Sequence, residues 1–134
     1  MKVNGECLCG AVSFSAEVYP ESARICHCTD CQINSASAFG TVVTLVEGTF
    51  SLTRGEMEHY VKTAESGNRR DMTFCATCGT RIYSAPDNGE GYTGVRIGLL
   101  KEREKLVPRS QIWTQSALDW VGRISDLPAK ERQK

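Results

Sequence analysis

The chain has 134 residues, 40% of them hydrophobic and 24% charged, with twelve glycines and four prolines. That composition suits one globular domain and excludes collagen-like, disordered and low-complexity chains. Sixteen Lys and Arg balance sixteen Asp and Glu, so no basic field exists to bind nucleic acid, and no apolar run approaches the roughly 20 residues that span a membrane.

From the N-terminus, MKVNGECLCGAV lacks the apolar core of a signal peptide, which makes a cytoplasmic, reducing setting the expectation. Alternation at Val12 and Phe14 predicts a half-buried strand. GTVVTLVEG (40–48) predicts a more buried one, with Gly48-Thr49 turning it into TFSLTRG as an antiparallel hairpin. EHYVKT, DMTFC, TRIYSA and TGVRIGLL supply further strands, and PDNGEG marks a loop. Helical pattern is confined to a short segment after Thr29-Asp30, to KEREKL, and to SALDWVGRI with Ser116 as N-cap. The expected fold is mainly β with a few short helices. It forms a single domain over residues 1–127, with a mobile tail at 128–134.

The seven cysteines fall into three groups: Cys7 and Cys9 in CLCG, Cys26, Cys28 and Cys31 in CHCTDC, and Cys75 and Cys78 in CATCG. In a reducing compartment such clusters suit metal ligands or redox centres better than disulfides. A C-x-C or C-x-x-C pair can grip a metal from a tight turn, and Gly10 and Gly79 permit the left-handed backbone those turns need. Together the two pairs would make a closed, structural S₄ zinc site. A redox role for Cys75 and Cys78 fits less well, because redox C-x-x-C motifs open a helix whereas FCATCGTRIY runs from strand to strand.

Three thiolates leave a tetrahedral zinc one vacant corner, which separates catalytic from structural sites. In an extended strand Cys26 and Cys28 share one side and His27 takes the other, which makes His27 a packing or supporting residue. Thr29 or Asp30 as N-cap would place Cys31 in the first turn of a short helix, where a thiolate is favoured. The alternative is a second structural site closed by His27 or His59, although His59 in EMEHYVKT looks like a surface strand residue. Spacing alone leaves open which thiols share an ion.

In order and separation, G-x-C-x-C-G, C-H-C-x-x-C, S-A-F and F-C-x-x-C-G-T resemble the glutathione-dependent formaldehyde-activating family, which includes the centromere protein V relatives. The resemblance covers residues 4 to about 123. It implies a zinc-pinned antiparallel β-tent with two zinc ions per chain: a structural one held by Cys7, Cys9, Cys75 and Cys78, and a catalytic one held by Cys26, Cys28 and Cys31. It also implies a carbon-sulfur lyase handling adducts of a small thiol such as glutathione with a carbonyl compound, S-hydroxymethylglutathione being the founding case. A zinc-stapled interaction module without chemistry is the rival reading. The methionine sulfoxide reductase type of β-tent is disfavoured, because it needs a cysteine near the chain's end and none follows Cys78.

This chain departs from the family pattern at Gln32, where an Arg is frequent, at Ala36, which replaces the Gly of G-S-A-F, and in GLLKERE, which lacks the usual Leu-Asp. An anionic substrate would call for cations near the cysteine motifs, and Arg24, Arg69, Arg70 and Arg81 flank them. Ser37 and Phe39 are candidates for a pocket wall. Trp113 and Trp120 could add apolar faces, with plain core packing the simpler reading for both.

Overall fold

The computed structural model describes residues 1–64 and 66–134. Among the described residues nine strands carry the fold: β1 (Lys2–Glu6), β2 (Ser13–Cys26), β3 (Gly40–Leu45), β4 (Ser51–Arg54), β5 (Met57–Thr63), β6 (Arg69–Cys75), β7 (Arg81–Pro86), β8 (Gly94–Arg96) and β9 (Ser110–Ile112). The sheet runs β1-β2-β3-β8-β7-β6-β5, with β4 and β9 added to β2. Every pairing is antiparallel except β2 with β9. The mainly β, antiparallel expectation is met.

The long strand β2 organises the molecule because it serves two sets of partners. Its first half pairs with β1 and β4, and its last residues, Arg24–Cys26, pair with β3 and β9. Between them the register with β3 shifts from Tyr19 to Arg24. Pro20 lies in that interval and lacks the N–H a ladder needs, so the strand must break pairing there. Before the break, Phe14, Ala16 and Val18 point inward in strict alternation. They join Ile82, Val95, Leu100 and Leu106 in the core, each burial contributing about 1.5–3 kcal/mol for a large apolar side chain.

The predicted hairpin between GTVVTLVEG and TFSLTRG does not form. Strands β3 and β4 both run antiparallel to β2, so they share a direction and cannot pair as a hairpin. The Gly48 turn instead hands the chain from one half of β2 to the other. Thr49 fixes the crossing, its hydroxyl donating to the Val46 carbonyl (2.6 Å) and accepting from the Glu17 amide (3.0 Å).

One α-helix, α1 (Thr29–Ser35), follows β2. The helix expected over KEREKL shrinks to a 3₁₀ turn at Arg103–Lys105. SALDWVGRI becomes 3₁₀ structure over Asp119–Asp126 preceded by Leu118, while Ser116 ends a separate turn, Thr114–Ser116. Arg123 leaves helical geometry (φ −119°, ψ 22°) and no residue of that segment is buried, so tertiary packing never stabilises a full α-helix. Among the described residues no helix is long and apolar enough to cross a membrane.

Candidate metal centres and the cavity beside the cysteine trio

Two turns bring the outer cysteines together. At the first, Cys7 O accepts from Gly10 N (3.0 Å), and Val12 N donates to Cys7 Sγ (3.2 Å). At the second, Cys75 O accepts from Gly79 N (3.0 Å), and the amides of Thr77 and Cys78 donate to Cys75 Sγ (3.3 and 3.5 Å). Both glycines are left-handed, with φ of 79° and 77°, as the sequence implied. Thr80 ties the turns together: its hydroxyl accepts from Leu8 N (3.1 Å) and lies 3.1 Å from Cys78 Sγ. That hydroxyl contact, the Thr80 backbone and the Cys9 backbone lower the Cys78 thiol to about 5.

The sulfurs of Cys7, Cys9, Cys75 and Cys78 lie within 4.8 Å of one another. A zinc tetrahedron with Zn–S of about 2.3 Å has edges of about 3.8 Å. The Cys7–Cys9 and Cys9–Cys75 sulfur separations, 3.6 and 4.0 Å, bracket that edge. Four thiols with amide donors aimed at their sulfurs suit a soft-ligand metal such as zinc.

The second cluster unites Cys26, Cys28 and Cys31, again with sulfurs within 4.8 Å. Neither histidine joins it among the described residues. His27 is 1% exposed and faces away from the trio; its Nε2 lies 2.8 Å from Gln111 Oε1 and its ring meets Phe39 edge-on. His59 sits on the strand surface, its Nδ1 2.9 Å from Asp71. The helix cap differs from expectation: Cys28, not Thr29 or Asp30, is the N-cap, and its sulfur accepts from Cys31 N (3.3 Å). One sulfur therefore serves both as cap and as cluster member, which locks the helix start to the trio.

Charge within the trio collects on Cys31. The Cys26 hydrogen bond lowers its thiol to about 5, with burial opposing and the Arg96 guanidinium assisting. Cys26, on the other end of that hydrogen bond and also buried, is pushed well above the usual thiol range. Arg96 is 8% exposed; its Nη1 lies 3.9 Å from Cys31 Sγ and its Nη2 donates to Asn34 Oδ1 (3.1 Å). Gly40 makes room for it, since a Cβ there would stand 2.6 Å from Arg96 Nη1. Arg96 went unnoticed in the sequence, although an arginine between Val95 and Ile97 in a buried strand is the kind of polar interruption that marks a site.

The trio opens into a cavity of about 160 Å³. Its wall includes Lys62, Arg70, Tyr92 and Trp113. Strand β9, missed in the sequence because three residues carry no period, pairs Ile112 beside Cys26 and so delivers Trp113 to the cavity. Trp113 adopts a left-handed backbone (φ 58°) and is 57% exposed; Trp120 is 48% exposed and lies outside this wall. Core packing therefore describes neither tryptophan.

Of the flanking arginines, Arg70 lines the cavity and Arg24 stacks on the Tyr92 ring. Arg69 pairs with Asp87 (3.0 Å) and Arg81 covers Phe74, both away from it. Ser37 is exposed and Phe39 packs on His27, so neither forms the expected wall. Gln32, in place of the frequent Arg, spends its amide on the carbonyls of His27 (2.8 Å) and Ser116 (2.9 Å). Its role is to tie α1 to the C-terminal segment.

A family model described as glutathione-dependent formaldehyde-activating enzyme matches residues 2–116. The chain belongs to the glutathione-dependent formaldehyde-activating enzyme family. A protein of Schizosaccharomyces pombe (strain 972) named as an uncharacterized lyase is 30% identical over 108 residues, which cover 81% of this chain and 75% of that protein. A crystal structure of a Rhodobacter sphaeroides protein shares the fold, with a TM-score of 0.60 and 21% identity, covering 81% of this chain and 98% of the other. Both cysteine clusters fall inside the matched region.

Proposed function

We propose that this chain is a zinc-dependent, lyase-type enzyme that makes or breaks a carbon-sulfur bond between a thiol such as glutathione and an aldehyde. The observation that carries this reading is the inequality of the two clusters: four thiols close on one another, whereas three face a cavity. The family membership and the lyase-named relative support the reaction class. In this reading residues 1–127 are the working unit. Cys7, Cys9, Cys75 and Cys78 hold a structural zinc, and Cys26, Cys28 and Cys31 hold a catalytic one.

A zinc ion held by Cys26, Cys28 and Cys31 would supply Lewis acidity that favours the thiolate form of a substrate thiol at neutral pH. The chain's own residues do the rest. Arg96 and the Cys31 amide keep Cys31 and Cys28 turned into the cavity. Ile112 and Trp113 shield the trio from bulk water on the β9 side. Lys62 and Arg70 offer positive charge to an approaching anion.

Metal analysis of the purified protein is expected to find two zinc ions per chain. Cys28→Ser should lose one, and Cys78→Ser should lose the other together with fold stability. With Co²⁺ in the open site, titration with glutathione should shift the visible spectrum. A spectrum indifferent to thiols would indicate an interaction module instead.

A further inference from the structure

The cavity beside the trio is cationic, and no carboxylate balances its central arginine. Arg70 is half-buried on β6, where its Nε and Nη2 donate to the Ser84 hydroxyl (3.1 Å) and carbonyl (2.8 Å) and its Nη1 to the Tyr92 carbonyl (3.1 Å). All three acceptors are neutral, and two of the five guanidinium N–H groups stay unassigned. Burial pushes its guanidinium below the usual arginine range, and the charges of Arg96 and Arg24 push the same way.

Tyr92 carries both Arg24 and Arg70 on its ring, 4.7 and 5.1 Å from the centroid. An aromatic face attracts cations but supplies no full negative charge. Among the described residues the ion pairs do not include Arg70: Arg69 pairs with Asp87, His59 with Asp71, and Lys62 with Asp30 on the cavity wall. Lys62, Arg70 and Arg96 bring +3 to the cavity and Asp30 brings −1. Three thiolates around one divalent ion would add a further −1. The balance is +1, before Arg24 is counted.

A half-buried guanidinium with no carboxylate partner is costly, and its planar fork matches a carboxylate. We propose that the cavity selects substrates carrying a carboxylate close to the reacting sulfur or carbonyl carbon, and that Arg70 holds that carboxylate. The inference rests on the lyase reading above and deepens it. A cavity of about 160 Å³ is smaller than the roughly 300–1,000 Å³ that enclose drug-sized ligands. It therefore takes one end of a tripeptide thiol, or the whole of a small carboxylated aldehyde.

Isothermal titration of the zinc-loaded protein separates the two sources of the carboxylate. One arm compares 3-mercaptopropionate with 2-mercaptoethanol; the other, without thiol, compares glyoxylate with acetaldehyde. The expected result is a preference of tenfold or more for the carboxylate in at least one arm. Arg70→Gln should abolish it, Arg70→Lys should retain it in part, and the exposed control Arg109→Gln should keep it whole. Unchanged binding of the neutral partner in Arg70→Gln reports an intact fold. The arm that shows the preference names the source. Equal binding in both arms, or a preference that survives Arg70→Gln, overturns this inference while leaving the thiol site in place. Failure of all four compounds to bind overturns it together with the lyase reading.

Discussion

Single residues here do more than their type suggests. Ala36 closes α1 in the left-handed conformation (φ 49°, ψ 42°), its amide returning to the carbonyls of Gln32 and Ile33. A Cβ in that region is strained, and a glycine relieves it at some cost in unfolded-chain entropy. Ala36→Gly is therefore expected to raise stability by about 0.5–1 kcal/mol, measured by urea titration. Arg96 is the other case. Its contact with Cys31 depends on the bare Gly40, so Arg96→Met and Gly40→Ala should weaken metal retention in the same direction. Supporting residues of this kind are worth roughly 10–100-fold in metal affinity, to be read by chelator competition in a protein whose outer four-cysteine cluster is intact.

Elements are held to one another by a few polar clamps. Glu102 reaches back to β1, its carboxylate accepting from the Asn4 backbone amide (2.9 Å) and the Asn4 side-chain amide (3.2 Å). Burial pushes that carboxyl up, but the hydrogen bonds from Asn4 outweigh it and leave the group below its ordinary range. A carboxyl depressed in the folded state contributes stability above the unfolded value, and that contribution disappears as pH falls through the folded value. Glu102→Gln should thus cost about 1 kcal/mol at pH 7. The gap to wild type should close below pH ~4, checked by thermal melts of both proteins across pH.

What the sequence disclosed at this scale followed from period and punctuation. Strands with several alternating positions, such as β2, β5, β6 and β7, were legible, and so were both cysteine turns through Gly10 and Gly79. Two failures share a cause. The hairpin between residues 40–48 and 49–55 looked local, but the partner of both strands is β2, whose paired residues lie 14 to 41 positions earlier. Strand β9 is only Ser110–Ile112 and exists because β2 offers it an edge. Pairing partners distant in sequence leave no local trace, and the cavity walls, which depend on them, were correspondingly harder to foresee than the thiols.

At the scale of the molecule, the two cysteine clusters sit on different kinds of support. The outer one joins the turn before β2 to the turn after β6, so that two turns between strands supply all of its thiols. The trio depends on β2, α1 and β9 meeting. Graded exposure to a chelator should therefore strip one ion first, with the sheet signal in far-ultraviolet circular dichroism largely kept. Loss of the second ion should bring cooperative unfolding, because structural zinc is folding energy. Loss of both ions in one step together with the sheet signal would contradict this order.

The thiol cradle is drawn from one continuous stretch, the end of β2 and the start of α1, whereas Lys62, Arg70, Tyr92 and Trp113 come from β5, β6, the segment before β8 and the residue after β9. On the proposed reading, reactivity and recognition are thus encoded by separate parts of the chain. Substitutions in the second set can retune which compound is admitted without disturbing the first, so a lineage built on this scaffold is free to diversify its diet while conserving its chemistry.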